Sequence, residues 1–271
     1  MIRVELNKLM RRPRTWVAIL MLNALPTLVA ILVSITDIGP APGTGPPFLS
    51  AVLTDATLFP LAALGIVLPL FLPIAVAVVG GEAIAGEAQS GTLRYLLIRP
   101  VGRAHLIVAK LVSVVVFVLL TVVIVAAVGY VVGQLFLGGG TAPTGMATLS
   151  GTTLTGTEVA QRTALALGYV TLSMLGVAAL ALLLSTVTDS AIGAALGAIG
   201  FLIASTVLLG LDAAEALQPW LPTRYWLAFV DLFRDPILWD DVTRGVLLQL
   251  AYFVVFTVAA WANFATKDVT S

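Results

Sequence analysis

The residues able to do chemistry crowd into one stretch of this chain, from Glu82 to Lys110. Two carboxylates, Glu82 and Glu87, are followed by Arg94, Arg99, Arg103, His105 and Lys110, with apolar runs on both sides. Carboxylates and guanidiniums in that arrangement form ion pairs and bind lipid headgroups or acidic partners. They do not compose a hydrolytic site. The phosphate-cradling pattern G-x-x-x-x-G-K-[ST] occurs nowhere. Gly80-Gly81 and Gly138-Gly139-Gly140 lack the lysine that would follow, and the second reads as the exit turn of an apolar run. With no cysteine there is no thiolate nucleophile, disulfide or thiolate metal site. The lone His105 cannot build a histidine-rich metal centre. No catalytic, cofactor-binding or metal-binding residue is assigned.

The elements that must hold these groups are apolar. The 271 residues are 59% hydrophobic and 10% charged, with a mean hydropathy of +1.07. A soluble domain is about one quarter charged, so the chain reads as a single integral-membrane domain over residues 1–271. A crossing helix needs about 20 apolar residues. Six runs qualify, at Trp16–Ile35, Leu58–Gly80, Leu106–Leu137, Thr163–Leu184, Ala191–Leu211 and Val246–Phe264. The third is long for one perpendicular crossing, so it either tilts or starts among the headgroups with Lys110. The runs are continuous rather than alternating, which excludes a barrel. The fold class is therefore all-α, with six transmembrane helices.

Basic residues orient it. Ten (Arg3, Lys8, Arg11, Arg12, Arg14, Arg94, Arg99, Arg103, Lys110 and Lys267) fall on one side and four (Arg162, Arg224, Arg234 and Arg244) on the other. The positive-inside rule puts both termini and the loop at 81–104 in the cytoplasm. The first run is longer than a signal-peptide core and no cleavage site stands out before Gly39, so it reads as an uncleaved span. Before it, Ile2, Leu6, Leu9 and Met10 share a face of an interfacial helix over residues 1–15, or the arm is a simple basic anchor. In the loop, Ser90 is placed to cap a second helical segment bearing Leu93, Leu96 and Leu97, which Pro100 ends.

This loop resembles a known signature. Glu87, Gly91-Thr92-Leu93, Leu96-Leu97, Pro100-Val101 and Arg103, followed by Lys110 opening the third span, closely resemble the pattern of ABC-2 type transporter permeases. The opening Glu5-Leu6-Asn7-Lys8-Leu9-Met10-Arg11-Arg12-Pro13-Arg14-Thr15-Trp16 is similar to that family's N-terminal helix leading into the first span, a weaker match. The resemblance implies a transmembrane permease subunit of an ATP-binding-cassette exporter in a prokaryotic plasma membrane. It implies that the loop is a coupling helix docking a separate ATPase subunit, present in two copies and holding ATP and Mg. On that match Glu87, Gly91, Thr92, Leu93, Arg94, Leu97 and Arg103 form the docking surface. Glu87 would pair with a basic group of the ATPase, and Leu93 and Leu97 would fill an apolar pocket. For the arginines, headgroup contact is the alternative role. A second permease, identical or homologous, is implied as a dimer partner. The chain itself is not expected to be an enzyme or to carry a cofactor, and its zero net charge gives no pull toward nucleic acid.

The spans carry no ionisable residue except Lys110 at one mouth, which removes the usual machinery of a proton- or ion-coupled carrier and of an intramembrane hydrolase. An external motor fits that absence, and so does a lipid-like, amphiphilic or hydrophobic substrate. Asn23, Gln134, Ser173 and Gln249 are the candidate polar groups of a transport cavity, or else interhelix glue. Gly193, Gly197 and Gly200 give the fifth span a small-residue face for packing within the chain or across a dimer. Pro60, Pro69 and Pro73 are placed to bend the second span. Outside, residues 212–244 carry Trp220, Tyr225, Trp226, Phe229, Phe233 and Trp239, which read as an aromatic belt at the interface; the resemblance implies instead short surface or re-entrant helices that cap the exit. A non-transporting anchor or scaffold that docks a cytoplasmic partner is the competing reading, with a secondary carrier third.

Overall fold

The computed structural model describes residues 1–36, 48–49, 52, 56–91, 103–138, 146–147 and 153–266. Helix α1 (Ile2–Arg11) is followed, after one extended residue, by α2 (Pro13–Thr36). A 3-10 turn at Ala56–Leu58 leads into α3 (Phe59–Val67), and α4 (Phe71–Gly81) follows. A short α5 (Ala85–Gln89) precedes the long α6 (Arg103–Phe136). A two-residue ladder, β1 (Met146–Ala147) against β2 (Thr153–Leu154), lies before α7 (Gly156–Val187). Then come α8 (Ala191–Leu209), 3-10 helices at Asp212–Ala214, Gln218–Trp220 and Trp226–Phe233, and α9 (Trp239–Thr266).

Five of these helices (α2, α6, α7, α8 and α9) are long and apolar enough to cross a membrane. The expected second span is a pair instead. The 3-10 turn with α3, and α4, meet at 60° across Leu68–Leu70, and count as a sixth span only if taken together. The cause is local. Pro69 sits in the break with no N–H to donate, while Pro60 and Pro73 fall in first turns, where the missing N–H is tolerated. Helix α7 starts earlier than the apolar run because Thr155 and Glu158 form a reciprocal capping box.

Helix α6 is the common partner, packing on α1, α2, α3, α4 and α7. Helices α7 and α9 form the most extensive pair, and α4 wedges between α7 and α8. Close approach needs small residues at named points. At Gly245 of α9 a Cβ would stand 2.0 Å from the Tyr169 hydroxyl oxygen, and at Gly81 it would stand 2.9 Å from the backbone nitrogen of Ala195. The core is filled by Phe59, Phe117, Phe229, Phe233 and Leu61, Leu64 and Leu68. Large side chains such as Leu20, Leu32, Leu196, Leu247 and Val258 point outward, as lipid-facing surfaces require.

The aromatic segment between α8 and α9 is folded inward rather than laid flat. Trp226, Phe229 and Phe233 are buried, whereas Trp220 and Trp239 are exposed. Helix side chains tie the segment down: Tyr169 donates to Tyr225 O at 2.6 Å, Gln249 to Pro222 O at 2.6 Å, and Arg162 to Leu232 O and Arg234 O at 3.0 and 2.8 Å.

Candidate functional site

The buried charged side chains among the described residues, Glu5, Glu87 and Lys110, collect at the opposite end from that aromatic segment, where α1, the turn after α4 and the foot of α6 meet. Helix α1 turns Glu5 and Leu9, one turn apart, toward α6, while Ile2, Val4 and Met10 face outward. The expected apolar face of Ile2, Leu6, Leu9 and Met10 is thus split. Leu9 goes into the protein, and an acid accompanies it.

That acid has a partner. Lys110, 3% exposed at the foot of α6, lies 2.9 Å from Glu5 Oε2 and in closer contact with Glu87 Oε1. Lys8 Nζ reaches the same Glu87 oxygen at 2.6 Å. Two acids and two bases form one neutral cluster tying α1, α5 and α6. Burial opposes ionisation of Glu87, but the charges and hydrogen bonds of Lys110 and Lys8 outweigh it and hold its carboxyl below the usual glutamate range. Nearby, Glu82 accepts from Arg14 at 2.6 Å and lies 3.9 Å from Arg12.

A single hydroxyl fixes the turn from the other side. Ser185, fully buried near the end of α7, accepts from the backbone N–H groups of Ile84 and Ala85 at 2.9 and 2.8 Å and donates to Gly81 O at 2.7 Å. Its whole donor and acceptor capacity is used. Thr186 beside it accepts from Asn263, which brings in the end of α9.

The docking residues drawn from the sequence fare differently. Glu87 was assigned to a partner's basic group. The structure corrects this, because its carboxylate is 4% exposed and committed to Lys110 and Lys8. Ser90 closes α5 and donates to Glu87 O at 3.2 Å, and the second helical segment expected after it, with Leu93, Leu96 and Leu97, lies outside the described residues. Gly91 follows, exposed, with φ +69°, a left-handed conformation that glycine adopts without strain. Thr92, Leu93, Arg94 and Leu97 lie outside the described residues, and Arg103 is the first residue of α6.

The four polar cavity candidates do not converge. Asn23 donates to Ile19 O of its own helix at 2.7 Å, and Gln134 is exposed. Ser173 and Gln249 are buried between helices; the Gln249 amide nitrogen donates to Pro222 O, while its Oε1 accepts no hydrogen bond among the described residues. None of the four lines either large cavity at the charged end. The small-residue face of α8 is also divided. Ala191, Ala194, Ala195 and Ala198 are buried, whereas Gly193, Gly197 and Gly200 lie on the exposed side, Gly200 with open space before it.

Sequence reasoning missed Glu5 and Ser185. Glu5 carried a signal, since an acid spaced one turn before Leu9 on the inner face of a helix needs a buried cation. Ser185 carried none, being one hydroxyl in an apolar run.

Two cavities adjoin the cluster. A cleft of about 690 Å³ is lined by Lys8, Arg12, Arg14, Glu82, Glu87 and the start of α8 at Ala191 and Ile192, among others. A groove of about 450 Å³ runs between α2 and α4 under Arg12 and Arg14. Fold and site together define an all-α protein of the membrane-embedded class, with a buried cluster of charged groups where α1, α5 and α6 meet. The chain belongs to the family described as "Protein of unknown function (DUF2705)", whose model matches residues 27–270. No curated protein matches it.

Proposed function

We propose that this chain is the membrane-spanning permease subunit of an ABC-2 type exporter, driven by a separate ATPase that docks at the charged end. The signature from Glu87 to Lys110 suggests the class. The observation that carries the mechanism is the buried cluster of Glu5, Lys8, Glu87 and Lys110, together with the Ser185 clamp. A loop that receives force must be stiffly joined to the helices it moves. Here a push on the exposed tip, Gln89–Gly91, reaches α6 through Lys110, α1 through Glu5 and Lys8, and α7 through Ser185. Glu87 is then a strut inside the coupling element, and contact with the ATPase falls to the tip and to Thr92, Leu93, Arg94, Leu97 and Arg103. The 690 Å³ cleft beside the tip, with three cations against two carboxylates, suits acidic side chains of such a partner. The basic end faces the cytoplasm, as the bias of basic residues implies. The outward glycines of α8 offer a face to a second permease, identical or homologous, and spans whose one acidic or basic residue is Lys110 at the mouth of the third suit an amphiphilic or lipid-like cargo.

The test is purification from the native membrane in mild detergent, with the co-purifying proteins identified by mass spectrometry and assayed for ATP hydrolysis. The reading expects a stoichiometric soluble ATPase that is lost from Leu93→Asp while the variant keeps the melting temperature of the parent. A chain that purifies alone under conditions that preserve other membrane complexes would refute it and favour a scaffold or a carrier.

A further inference from the structure

The groove between α2 and α4 has a composition the transporter reading does not use. Its walls are Ala18, Met21 and Leu22 of α2 and Phe71, Ala75 and Val78 of α4. Its mouth is polar: Arg12 and Arg14 stand there with Glu82. The two arginine side chains are 33% and 57% exposed, so each keeps N–H donors for another acceptor besides Glu82. Trp16, half-exposed one turn into α2, donates its indole N–H to Met10 O at 2.8 Å, a placement typical of the headgroup level. From Glu82 down to Phe71, at about 1.5 Å per residue, the α4 wall is about 16 Å long. That is about half the ~30 Å hydrocarbon thickness, or one leaflet. The groove's lining on this wall ends at Phe71, the first residue of α4.

We propose that this groove binds one anionic phospholipid, its phosphate on Arg12 and Arg14 and one acyl chain along α4. The site rests on the membrane reading of the fold and shares Arg12 and Arg14 with the cleft assigned to the ATPase, so it is tested on the chain alone. Charge complementarity and length select the occupant: two cations against one carboxylate leave a net positive mouth, and the apolar wall ends at leaflet depth. Glu82 competes with the phosphate for the same guanidiniums, so its charge tunes the affinity.

Native mass spectrometry of the full chain in detergent, titrated with phosphatidylglycerol or phosphatidylcholine of equal chain length, tests this. Phosphatidylglycerol is expected to bind about ten- to thirty-fold tighter, from two arginines near the surface. Arg12→Gln with Arg14→Gln should erase that preference, and Glu82→Gln should increase it. Ala18→Leu, which narrows the groove without touching charge, should weaken both lipids. A parent that binds the two lipids equally, an arginine double variant that keeps the preference, or an unaffected Ala18→Leu that remains monodisperse overturns the proposal. Competition by inorganic phosphate at millimolar concentration would make this a free-anion site and overturn it too.

Discussion

Lys110 sits between two acids, and its removal should be far more damaging than the removal of Lys8. Lys110 is 3% exposed, Glu87 4% and Glu5 8%, so Lys110→Met leaves two carboxylates facing each other away from water. Breaking a buried pair by deleting one partner costs ~3–5 kcal/mol. Lys8 has a 37% exposed side chain and touches the same Glu87 oxygen from the rim. Solvent screening holds the cost of Lys8→Gln to about 1 kcal/mol or less. Glu87→Gln falls between them, since Lys110 keeps Glu5 and Lys8 can turn to solvent. The triple change Glu5→Gln, Glu87→Gln, Lys110→Met removes every deeply buried charge and should recover most of the loss. Thermal unfolding of the detergent-solubilised chain, followed by tryptophan fluorescence, reads the series. At a few degrees per kcal/mol, Lys110→Met should lower the midpoint by on the order of 10 °C. An unchanged midpoint for Lys110→Met, or a larger loss for Lys8→Gln, would refute the buried cluster, and so would a triple variant no better than Lys110→Met.

Three further outcomes follow from the same end of the molecule. Because Glu87 ionises below its ordinary range when folded, its pairing stabilises fully above that range and is lost as pH falls through the folded value, so the midpoint should drop on acidification and Glu87→Gln should drop less. Ser185→Ala strands two backbone N–H groups and a carbonyl, at ~1–3 kcal/mol for each buried group left unpaired, and hydrogen exchange at Ile84 and Ala85 should accelerate ahead of that in α4. Gly81→Val forces side-chain atoms against the backbone of Ala195, which should lower stability by about 1–3 kcal/mol and is checked by the same melting assay against Gly86→Ala, whose Cβ meets only Glu82 Cβ at 3.6 Å.

The helices were legible because lipid-facing and buried helices are both apolar, and continuous runs mark them whatever they touch. The break at Leu68–Leu70 was legible in kind from the prolines, but its 60° angle depends on how α3 packs on α6 and α4 on α7 and α8. Partnerships were harder to read. Glu87 in a polar loop looks solvent-facing. Its partner Lys110, 23 positions on, also pairs with Glu5, 105 positions back, which local spacing does not encode. The outward turn of Gly193, Gly197 and Gly200 has the same origin. Gly197 and Ala198 are adjacent small residues, and only the neighbours of α8 decide which of them is covered.

The central claim is that an ATPase docks at the charged end, at the tip of the 81–104 loop. A photoreactive amino acid placed at position 93, and in a separate variant at position 220 of the opposite end, tests it in native membranes. The account predicts that a nucleotide-hydrolysing protein is crosslinked from position 93 and not from position 220. Crosslinking of such a protein from position 220 alone, or from neither position in membranes where another transporter's ATPase is captured, would contradict it.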